Sequence, residues 1–299
     1  MKVLVTGGAG FIGSNLVDKL IELKYNVIII DNLSSGKRQH INPLAEFINA
    51  DITDLNINKY FKDVEVVFHL AALARVQPSI DDPVHYDNVN VNGTVNVLKC
   101  CVDNKVKQLV YSASSSAYGN AEKMPISETD CINPISPYAV QKYVGEVYCK
   151  LFSKVYGLKT VCLRYFNVYG ERMSVDGSYA LVIGIFTKQL LDGKPITIRG
   201  TGEQRRDFTY VGDIVDANIL SCQSKKVGLG EVINIGTGIN HSINEIADFL
   251  KGDRIYVDPV TEPFETLADN RLAKKLLDWE PSTKFSDWIF EYSKSLKIK

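Results

Sequence analysis

The chain has 299 residues, of which 45% are hydrophobic and 23% charged, and its formal net charge is −1. A chain of this length can bury a sizeable core in one large domain or two closely packed domains. Because basic and acidic residues balance and form no long basic block, we expect neither a nucleic-acid partner nor a membrane-surface helix. No apolar run approaches the length of a membrane span, and the sequence begins on a candidate core strand, so we expect no signal peptide and a cytoplasmic protein.

The cysteines and histidines show no spacing typical of a metal site. None of the six cysteines belongs to a C-x-x-C pair, so reduced thiols are expected rather than disulfides or metal ligands. His69 lies in an apolar run, and we interpret it as a core residue with satisfied hydrogen bonds rather than as a catalyst. We expect no metal.

The first element carries a dinucleotide-binding fingerprint. An apolar strand at 3–5 leads into TGGAGFIG at 6–13, which places Gly7, Gly10 and Gly13 where a strand turns sharply into a helix. Glycines there let the backbone approach a pyrophosphate, while the helix N-terminus offers it free N–H groups and a partial positive charge. A glycine-rich turn without a ligand is the alternative, but the order of strand, glycines and helix is the context that the fingerprint requires.

The second predicted strand ends on an acidic residue. The apolar run 27–30 predicts a buried parallel strand, and Asp31 follows it directly. A carboxylate at this place accepts hydrogen bonds from the adenosine ribose hydroxyls. Because Asp31 would repel a 2′-phosphate and Asn32 carries no charge, NAD rather than NADP is the expected cofactor.

Strand and helix patterns alternate along the next part of the chain. We predict strands over 64–70, 107–112 and 160–164, and helices over 84–104 and 136–156. This alternation is typical of an α/β fold with a doubly wound parallel sheet, the Rossmann architecture. Ligands of such sheets bind beyond the carboxyl ends of the strands, so the segments that follow the predicted strands are candidate site segments.

Beyond residue 170 the pattern loosens. We predict a helix over 179–191, a short strand over 197–199, a strand at 232–235 that rejoins the sheet, and a helix that begins with a capping box at Ser242. We therefore expect an NAD-binding Rossmann domain over 1–170, which the chain re-enters around 209–238. A smaller C-terminal substrate-binding lobe is expected over 171–208 and 239–299.

Tyr138 and Lys142 form the catalytic signal. They are four residues apart in the predicted helix 136–156, so they share one helix face and the ammonium can lie near the phenol. A nearby positive charge favours the ionised phenol and lowers its pKa from about 10, which makes the tyrosine usable as a proton shuttle. This spacing also arises by chance on exposed helices, but the serine-rich strand end upstream favours the functional interpretation.

A series of motifs gives the sequence a resemblance that extends nearly end to end. They are TGGAGFIGS (6–14), DNLSSG (31–36), FHLAA (68–72), NVNGT (90–94), SASSSAYG (112–119), SPYAVQK (136–142), RYFNVYG (164–170), RRDFTYVGD (205–213) and LADN (267–270). In these motifs the chain resembles the extended short-chain dehydrogenase/reductase family. Within that family it is similar to the NAD-dependent nucleotide-sugar epimerases of the UDP-glucose/UDP-N-acetylglucosamine 4-epimerase type.

The resemblance implies a set of site residues. Ser114, Tyr138 and Lys142 would be catalytic: Tyr138 would take the proton of the sugar 4-hydroxyl, Lys142 would hold the nicotinamide ribose and tune Tyr138, and Ser114 would bind the sugar oxygen. The implied cofactor-binding residues are Gly7, Gly10, Phe11, Ile12, Gly13, Asp31, Asn32, Asp51, Ile52, Leu70, Ala71, Ala72, Asn90, Tyr138, Lys142 and Phe166. The implied substrate-binding residues are Ser114, Ser115, Tyr138, Asn167, Arg206, Glu262 and Thr266.

Within the substrate set the resemblance implies separate roles. Asn167 and Arg206 would hold the diphosphate, and Glu262 would bind the uridine ribose. Relatives place an arginine shortly before the acidic residue of that loop to bind phosphate, but here the segment 258–261 has the sequence DPVT. Thr266 would wall the pocket beside the sugar 2-substituent, and its small size predicts room for an N-acetyl group.

The implied reaction is 4-epimerisation of a UDP-hexose through a bound 4-keto sugar, by a homodimer paired through the helices around 84–104 and 136–156. In family dehydratases and decarboxylases an acidic residue follows the catalytic Ser or Thr within two positions. Ser115 and Ser116 stand there instead, which favours epimerisation. A uronate epimerase, a dehydratase or reductase, and a non-catalytic NAD-binding regulatory protein are the alternatives.

Overall fold

The computed structural model describes residues 1–175, 181–259 and 262–296. The strands are β1 (Lys2–Thr6), β2 (Asn26–Asp31), β3 (Glu46–Asn49), β4 (Val66–His69), β5 (Gln108–Ser114), β6 (Lys159–Tyr165), β7 (Val168–Tyr169), β8 (Ile196–Arg199), β9 (Arg205–Asp207), β10 (Thr209–Tyr210), β11 (Leu229–Ile235), β12 (Asn240–Ser242) and β13 (Arg254–Val257). The helices are α1 (Phe11–Glu22), α2 (Val76–Asp81), α3 (Pro83–Asp87), α4 (Gly93–Asp103), α5 (Pro137–Tyr156), α6 (Val182–Leu191), α7 (Val211–Gln223), α8 (Ile243–Leu250), α9 (Arg271–Leu277) and α10 (Phe285–Ser295).

A seven-stranded sheet has the order β11-β6-β5-β4-β1-β2-β3, and every neighbouring pair in it is parallel. Its strands are nearly continuous apolar runs because α1 and α7 cover one face and α4 and α5 cover the other. The predicted doubly wound parallel α/β sheet is therefore confirmed. The strand order reverses between β1 and β4, which places a ligand crevice outside the carboxyl ends of these two strands.

The predicted helix over 84–104 differs from the observed one. A single π-helical turn, Asn88–Asn92, separates α3 from α4. Asn90 in this turn is buried; its side chain accepts from the Leu73 N–H and donates to the Leu73 carbonyl oxygen. Turns of this kind occur frequently at functional sites, and this one fixes the loop that follows β4.

A separate apolar core lies in the second half of the chain. It joins α6, α8 and α10 through buried residues that include Phe186, Ile246 and Ile289. The predicted helix over 179–191 is observed as α6, and residues 176–180, into which its predicted start falls, lie outside the described residues. Ser242 caps α8 as predicted, since its Oγ accepts from the Glu245 N–H.

His69 is a core residue, as predicted. Its ring nitrogens bond the hydroxyls of Thr6 at 2.7 Å and Thr94 at 3.0 Å, and burial lowers its pKa to about 3, which keeps the ring neutral. All six cysteines lie in the described ranges, and none forms a disulfide. Within those ranges no group of three or more candidate ligand side chains could hold a metal ion. No described helix is long and apolar enough to cross a membrane.

Candidate active site

A cleft with a volume of about 900 Å³ opens beyond the carboxyl ends of β1, β2, β4 and β5. Loops from the first half of the chain form one side, and Arg206, Glu262 and Thr266 from the second half line it as well. Of all the residues that the resemblance implies, only Asn90 and Phe166 are not part of the lining. The tertiary fold thus brings the cofactor, catalytic and substrate sets into one cleft.

The glycine loop after β1 leaves space that side chains would fill. A Cβ at Gly13 would lie 2.1 Å from the Gly7 carbonyl oxygen, and one at Gly7 would lie 2.7 Å from the backbone nitrogen of Ala71. Gly7 has a φ of 72°, which side chains rarely permit. Because α1 begins at Phe11 without a side-chain cap or an acidic residue in its first turn, its N–H groups are available to an anion. These residues fit the pyrophosphate of NAD.

Acidic side chains line the end of the cleft beyond β2 and β3. The Asp31 carboxylate accepts from the Ala9 N–H at 3.0 Å and the Leu33 N–H at 2.8 Å, so it is held in a fixed orientation. Burial raises the pKa of Asp31, and these two hydrogen bonds oppose the rise. Asn32 donates to Asp51 at 2.7 Å. This arrangement fits ribose hydroxyls, which can donate to carboxylates, better than a phosphate.

The wall after β4 and the segment after β6 show how the remaining cofactor residues are placed. Leu70, Ala71 and Ala72 line the cleft, and Asn90 acts behind them by fixing Leu73. Phe166, which the resemblance implies as a cofactor-binding residue, is fully buried against Tyr118, Ile126 and Ala268.

The side chains on either side of Phe166 line the cleft in its place: Tyr165 and Asn167 do so because successive side chains of an extended segment point to opposite sides.

Tyr138 lies in the first turn of α5 and lines the cleft. Ser136 caps this helix by accepting from the Ala139 N–H, and Ser79 Oγ accepts from the Tyr138 N–H at 3.2 Å. The Ser114 hydroxyl lies near enough to the phenol to act on its pKa. Burial raises the pKa of Tyr138, while Ser114 and the charge of Arg75 oppose that rise.

Lys142 does not act on the phenol in the way that the spacing predicts. Its ammonium donates to the Ser112 carbonyl oxygen at 2.7 Å and lies 5.0 Å from the centre of the Tyr111 ring. Burial lowers the pKa of Lys142 to about 8. Lys142 lines the cleft beside Tyr138, but the groups that oppose the rise in the pKa of the phenol are Ser114 and Arg75.

Two of the three serines at the end of β5, Ser114 and Ser116, are joined by hydrogen bonds. Ser116 donates to Ser114 Oγ both from its hydroxyl, at 2.8 Å, and from its N–H, at 3.2 Å. A hydroxyl oxygen has two acceptor positions, so Ser114 retains its own hydrogen to donate. It can donate to the phenol of Tyr138 or to an oxygen of a bound sugar.

The substrate side of the cleft is held by hydrogen bonds between Asn167, Arg206, Glu262 and Thr266. The Asn167 amide donates to Thr266 Oγ1 at 3.3 Å. Arg206 donates to Glu262 at 2.7 Å and to the Phe264 carbonyl oxygen at 3.2 Å. Two residues expected to bind different parts of the nucleotide therefore form an ion pair with each other.

Comparison with known proteins agrees with this geometry. Residues 3–236 match the model of the NAD dependent epimerase/dehydratase family. The chain belongs to this family.

Several relatives of the chain have been named or solved. It is 35% identical over 304 residues to a UDP-glucose 4-epimerase of Mycolicibacterium smegmatis, covering 97% of this chain and 96% of that protein. It is similar to the UDP-glucose 4-epimerase of Thermotoga maritima solved with UDP-glucose, at 40% identity, 98% coverage of both chains and a TM-score of 0.94. It is also similar to a UDP-N-acetylglucosamine 4-epimerase of Methanobrevibacter ruminantium in complex with UDP-N-acetylmuramic acid, at 40% identity, 98% and 97% coverage and a TM-score of 0.92.

Membership in the family makes NAD the cofactor.

The structure adds residues of the cleft lining that the sequence analysis missed. Arg75 lines the cleft with a φ of 130°, a strained value for a residue other than glycine. Lys37, His40 and Arg172 also line it. Arg172 also has a positive φ, 68°. No pattern in the sequence marks any of these residues, because loops that are distant in sequence bring them to the cleft.

Proposed function

We propose that this protein is an NAD-dependent UDP-hexose 4-epimerase, acting on UDP-N-acetylglucosamine and UDP-N-acetylgalactosamine, on UDP-glucose and UDP-galactose, or on both pairs. One observation carries the proposal. Tyr138 and Ser114 meet in the dinucleotide cleft, and only the hydroxyl residues Ser115 and Ser116 follow Ser114. Proton abstraction and its reversal are therefore favoured over elimination, which needs an acid at that place.

The chain's own residues handle the proton in both directions. The glycine loop and Asp31 would hold NAD, which would supply the hydride acceptor and donor for sugar C4. Tyr138 takes the proton of the 4-hydroxyl, which leaves a 4-keto sugar, and Ser114 donates a hydrogen bond that favours the charged phenolate. After the keto sugar has turned its other face, Tyr138 gives the proton back to the 4-oxygen, and the configuration at C4 is inverted.

The remaining substrate residues hold the nucleotide while the sugar turns. Arg206 binds the diphosphate through charge-assisted hydrogen bonds, with Asn167 beside it. Since Arg206 and Glu262 are paired in the structure, diphosphate oxygens compete with Glu262 for the same guanidinium, and Glu262 turns to the uridine ribose. In this way one carboxylate orients the arginine before binding and serves the ribose afterwards.

Incubation with separate substrates tests the proposed function. Purified protein is mixed with UDP-galactose, UDP-N-acetylgalactosamine or UDP-glucuronate, and the products are resolved by chromatography. We expect the 4-epimer of at least one of the first two sugars and unchanged UDP-glucuronate. Conversion of UDP-glucuronate to a UDP-pentose, formation of a stable 4-keto product from any of the sugars, or no conversion at all would contradict the proposal.

Thr266 is expected to admit acetylated sugars. Its Oγ1 accepts weak hydrogen bonds from Asn167 at 3.3 Å and from the Asp207 N–H at 3.4 Å, so the hydroxyl hydrogen is left to donate to an acetamido oxygen. We expect the wild-type protein to convert the acetylated pair at least as well as the unacetylated pair. Thr266→Tyr is expected to suppress the acetylated reaction selectively, because the ring fills the space of the acetyl group.

A second variant distinguishes exclusion by size from the loss of a hydrogen bond. Thr266→Val keeps the size and removes the hydroxyl. The two bonds that the hydroxyl accepts are lost for both sugar pairs, so its selective effect on the acetylated pair is the loss of the one bond donated to the acetamido oxygen, which costs about 0.5–1.5 kcal/mol, or about two- to tenfold in kcat/KM. A selective loss in Thr266→Tyr far above that in Thr266→Val would show that the tyrosine ring excludes the acetyl group by its size. If Thr266→Tyr lowers both reactions equally, or the wild type converts neither acetylated sugar, then Thr266 does not determine which sugar is accepted.

The cofactor that copurifies with the protein is expected to be NAD or NADH. Asp31 is fixed at the ribose end of the cleft by two N–H groups, and its negative charge would repel a 2′-phosphate. The protein is denatured and the released dinucleotide is measured with enzymes specific for NAD and for NADP. Detection of NADP in place of NAD would overturn this assignment.

We also propose a homodimer paired through α3, α4 and α5. Val140, Val147 and Leu151 of α5 are 44%, 50% and 45% exposed, and their spacing places them along one face. Val84 of α3 is 78% exposed. A second copy of the chain would cover this face, and a mass of one chain in sedimentation would contradict the proposal.

The division of the chain into two functional parts belongs to the same proposal. Residues 1–170 and 209–238 bind NAD, and residues 171–208 and 239–299 form the substrate-binding lobe. The presence of β11 in the large sheet and the separate core of α6, α8 and α10 support this division. The unpaired cysteines suit the reducing cytoplasm, which we propose as the location.

A further inference from the structure

Asp207, at the end of β9, carries a carboxylate that the proposed reaction does not use. The residue is fully buried. Oδ1 accepts from the Thr237 N–H at 2.8 Å and the Thr237 hydroxyl at 2.7 Å, and Oδ2 accepts from the Gly238 N–H at 2.9 Å and the Ala268 N–H at 3.0 Å. Burying a charge is costly unless hydrogen bonds compensate it, and here four neutral donors from two separate segments surround one carboxylate.

One of these donors belongs to the segment 264–268, which lines the substrate side of the cleft through Thr266. This segment runs beside β9: the Arg205 N–H donates to the Phe264 carbonyl oxygen at 2.8 Å, and the Thr266 N–H donates to the Arg205 carbonyl oxygen at 3.1 Å. The next hydrogen bond along the same edge is the one from the Ala268 N–H to Asp207 Oδ2. The side chain of Asp207 thus continues the backbone pairing by one further step.

The main chain of Asp207 also contacts two proposed substrate residues. Its N–H donates to Thr266 Oγ1 at 3.4 Å, and its carbonyl oxygen accepts from the Asn167 amide at 3.1 Å. Arg206, the proposed diphosphate ligand, is its neighbour in β9. A shift of Asp207 would therefore move the diphosphate ligand and the sugar wall together.

We propose that Asp207 is a positioning residue for the UDP-sugar site: its carboxylate fixes the segment 264–268, and Thr266 within it, against the strand that carries Arg206. The inference rests on the proposed function for the identity of the ligand. Only a group with two acceptor oxygens suits the four donors, because the amide of an asparagine would turn an N–H₂ group toward N–H donors.

Asp207→Asn tests this role with two measurements. Hydrogen exchange of the ligand-free protein reports the segment directly, and we expect faster exchange at the amides of Thr266 and Ala268. Titration with UDP reports the site, and we expect the Kd to rise about tenfold or more, the effect of leaving a buried hydrogen-bonding group unpaired. The content of bound NAD should be unchanged, since Asp207 is not in the glycine loop or the segments that line its side of the cleft.

Asp213→Asn is the matched control. Asp213 is also buried and accepts from the Ser282 N–H at 3.0 Å, the Ser282 hydroxyl at 2.6 Å and the Thr283 N–H at 3.2 Å, but these partners lie outside the segment 264–268 and do not line the cleft. Its substitution should lower the melting temperature without changing the UDP Kd. If Asp207→Asn does not fold, Thr237→Val removes one of the four donors and should change exchange and Kd in the same direction, whereas Thr237→Ser should not.

The outcomes separate this proposal from the proposed function. If the Asp207→Asn variant exchanges the amide hydrogens of the segment 264–268 at the wild-type rate, or binds UDP with a Kd within twofold of wild type, the positioning role is overturned. A wild-type protein that binds no UDP would overturn the proposed function, while the exchange data would still decide whether Asp207 holds the segment.

Discussion

Replacing Tyr138 by phenylalanine is expected to lower turnover of the UDP-sugar by about two to four orders of magnitude. This is the range typical of losing a general acid–base group. The substitution removes only the phenol oxygen, because the helix cap at Ser136 and the hydrogen bond from the Tyr138 N–H to Ser79 involve other atoms. Ser114 would keep its place but would have no phenolate to stabilise.

The experiment measures turnover together with two readouts that the variant should leave intact. The content of bound NAD and the Kd for UDP should match the wild type, because Tyr138→Phe alters neither the glycine loop nor Arg206. Tyr156→Phe is the matched control, since this tyrosine lies at the far end of α5 and is 52% exposed. Turnover of Tyr138→Phe within a few-fold of wild type would rule out the tyrosine as the proton shuttle.

Replacing Glu146 by glutamine is expected to lower the free energy of unfolding by about 3–5 kcal/mol, the usual cost of leaving a buried charge without its partner. Glu146 of α5 accepts from Arg164 of β6 through two hydrogen bonds of 2.8 and 2.6 Å, and both side chains are 3% exposed. Burial raises the pKa of Glu146, and the hydrogen bond from Arg164 opposes the rise. The pair therefore joins the helix that carries Tyr138 to the central sheet.

Urea unfolding of the single and double variants measures this cost. Because the net stability of a domain is only about 5–15 kcal/mol, Glu146→Gln should shift the midpoint strongly. The double variant Glu146→Met, Arg164→Met removes both charges and should lose much less, since apolar residues often replace a buried pair without loss. A loss in Glu146→Gln below about 1 kcal/mol, in the range of exposed ion pairs, would show that water reaches the pair.

The local pattern of the sequence determined the sheet and the cofactor loop. Continuous apolar runs predict buried parallel strands, and glycines at the first strand–helix turn predict a place where backbone must approach a ligand. Both features depend on residues that are near one another in the chain, so a single sequence contains them. The parallel sheet and the glycine loop that a Cβ would fill are observed where these patterns predict them.

Contacts between distant segments were decided only by the tertiary structure. The spacing of Tyr138 and Lys142 places them on one helix face, but the ammonium binds the Ser112 carbonyl oxygen because the helix packs on that strand end. Nothing in the order of residues indicates that Arg206 and Glu262 form a pair.

What the sequence by itself determined about this protein is thus its fold class, its cofactor loop and the types of residue at the site. The tertiary structure decided which of those residues face the cleft and which charged side chains form ion pairs, because the partners of a side chain come from every element packed around it. Phe166 illustrates the difference: it lies between two residues that line the cleft, yet it is buried away from the cleft because side chains of an extended segment alternate in direction.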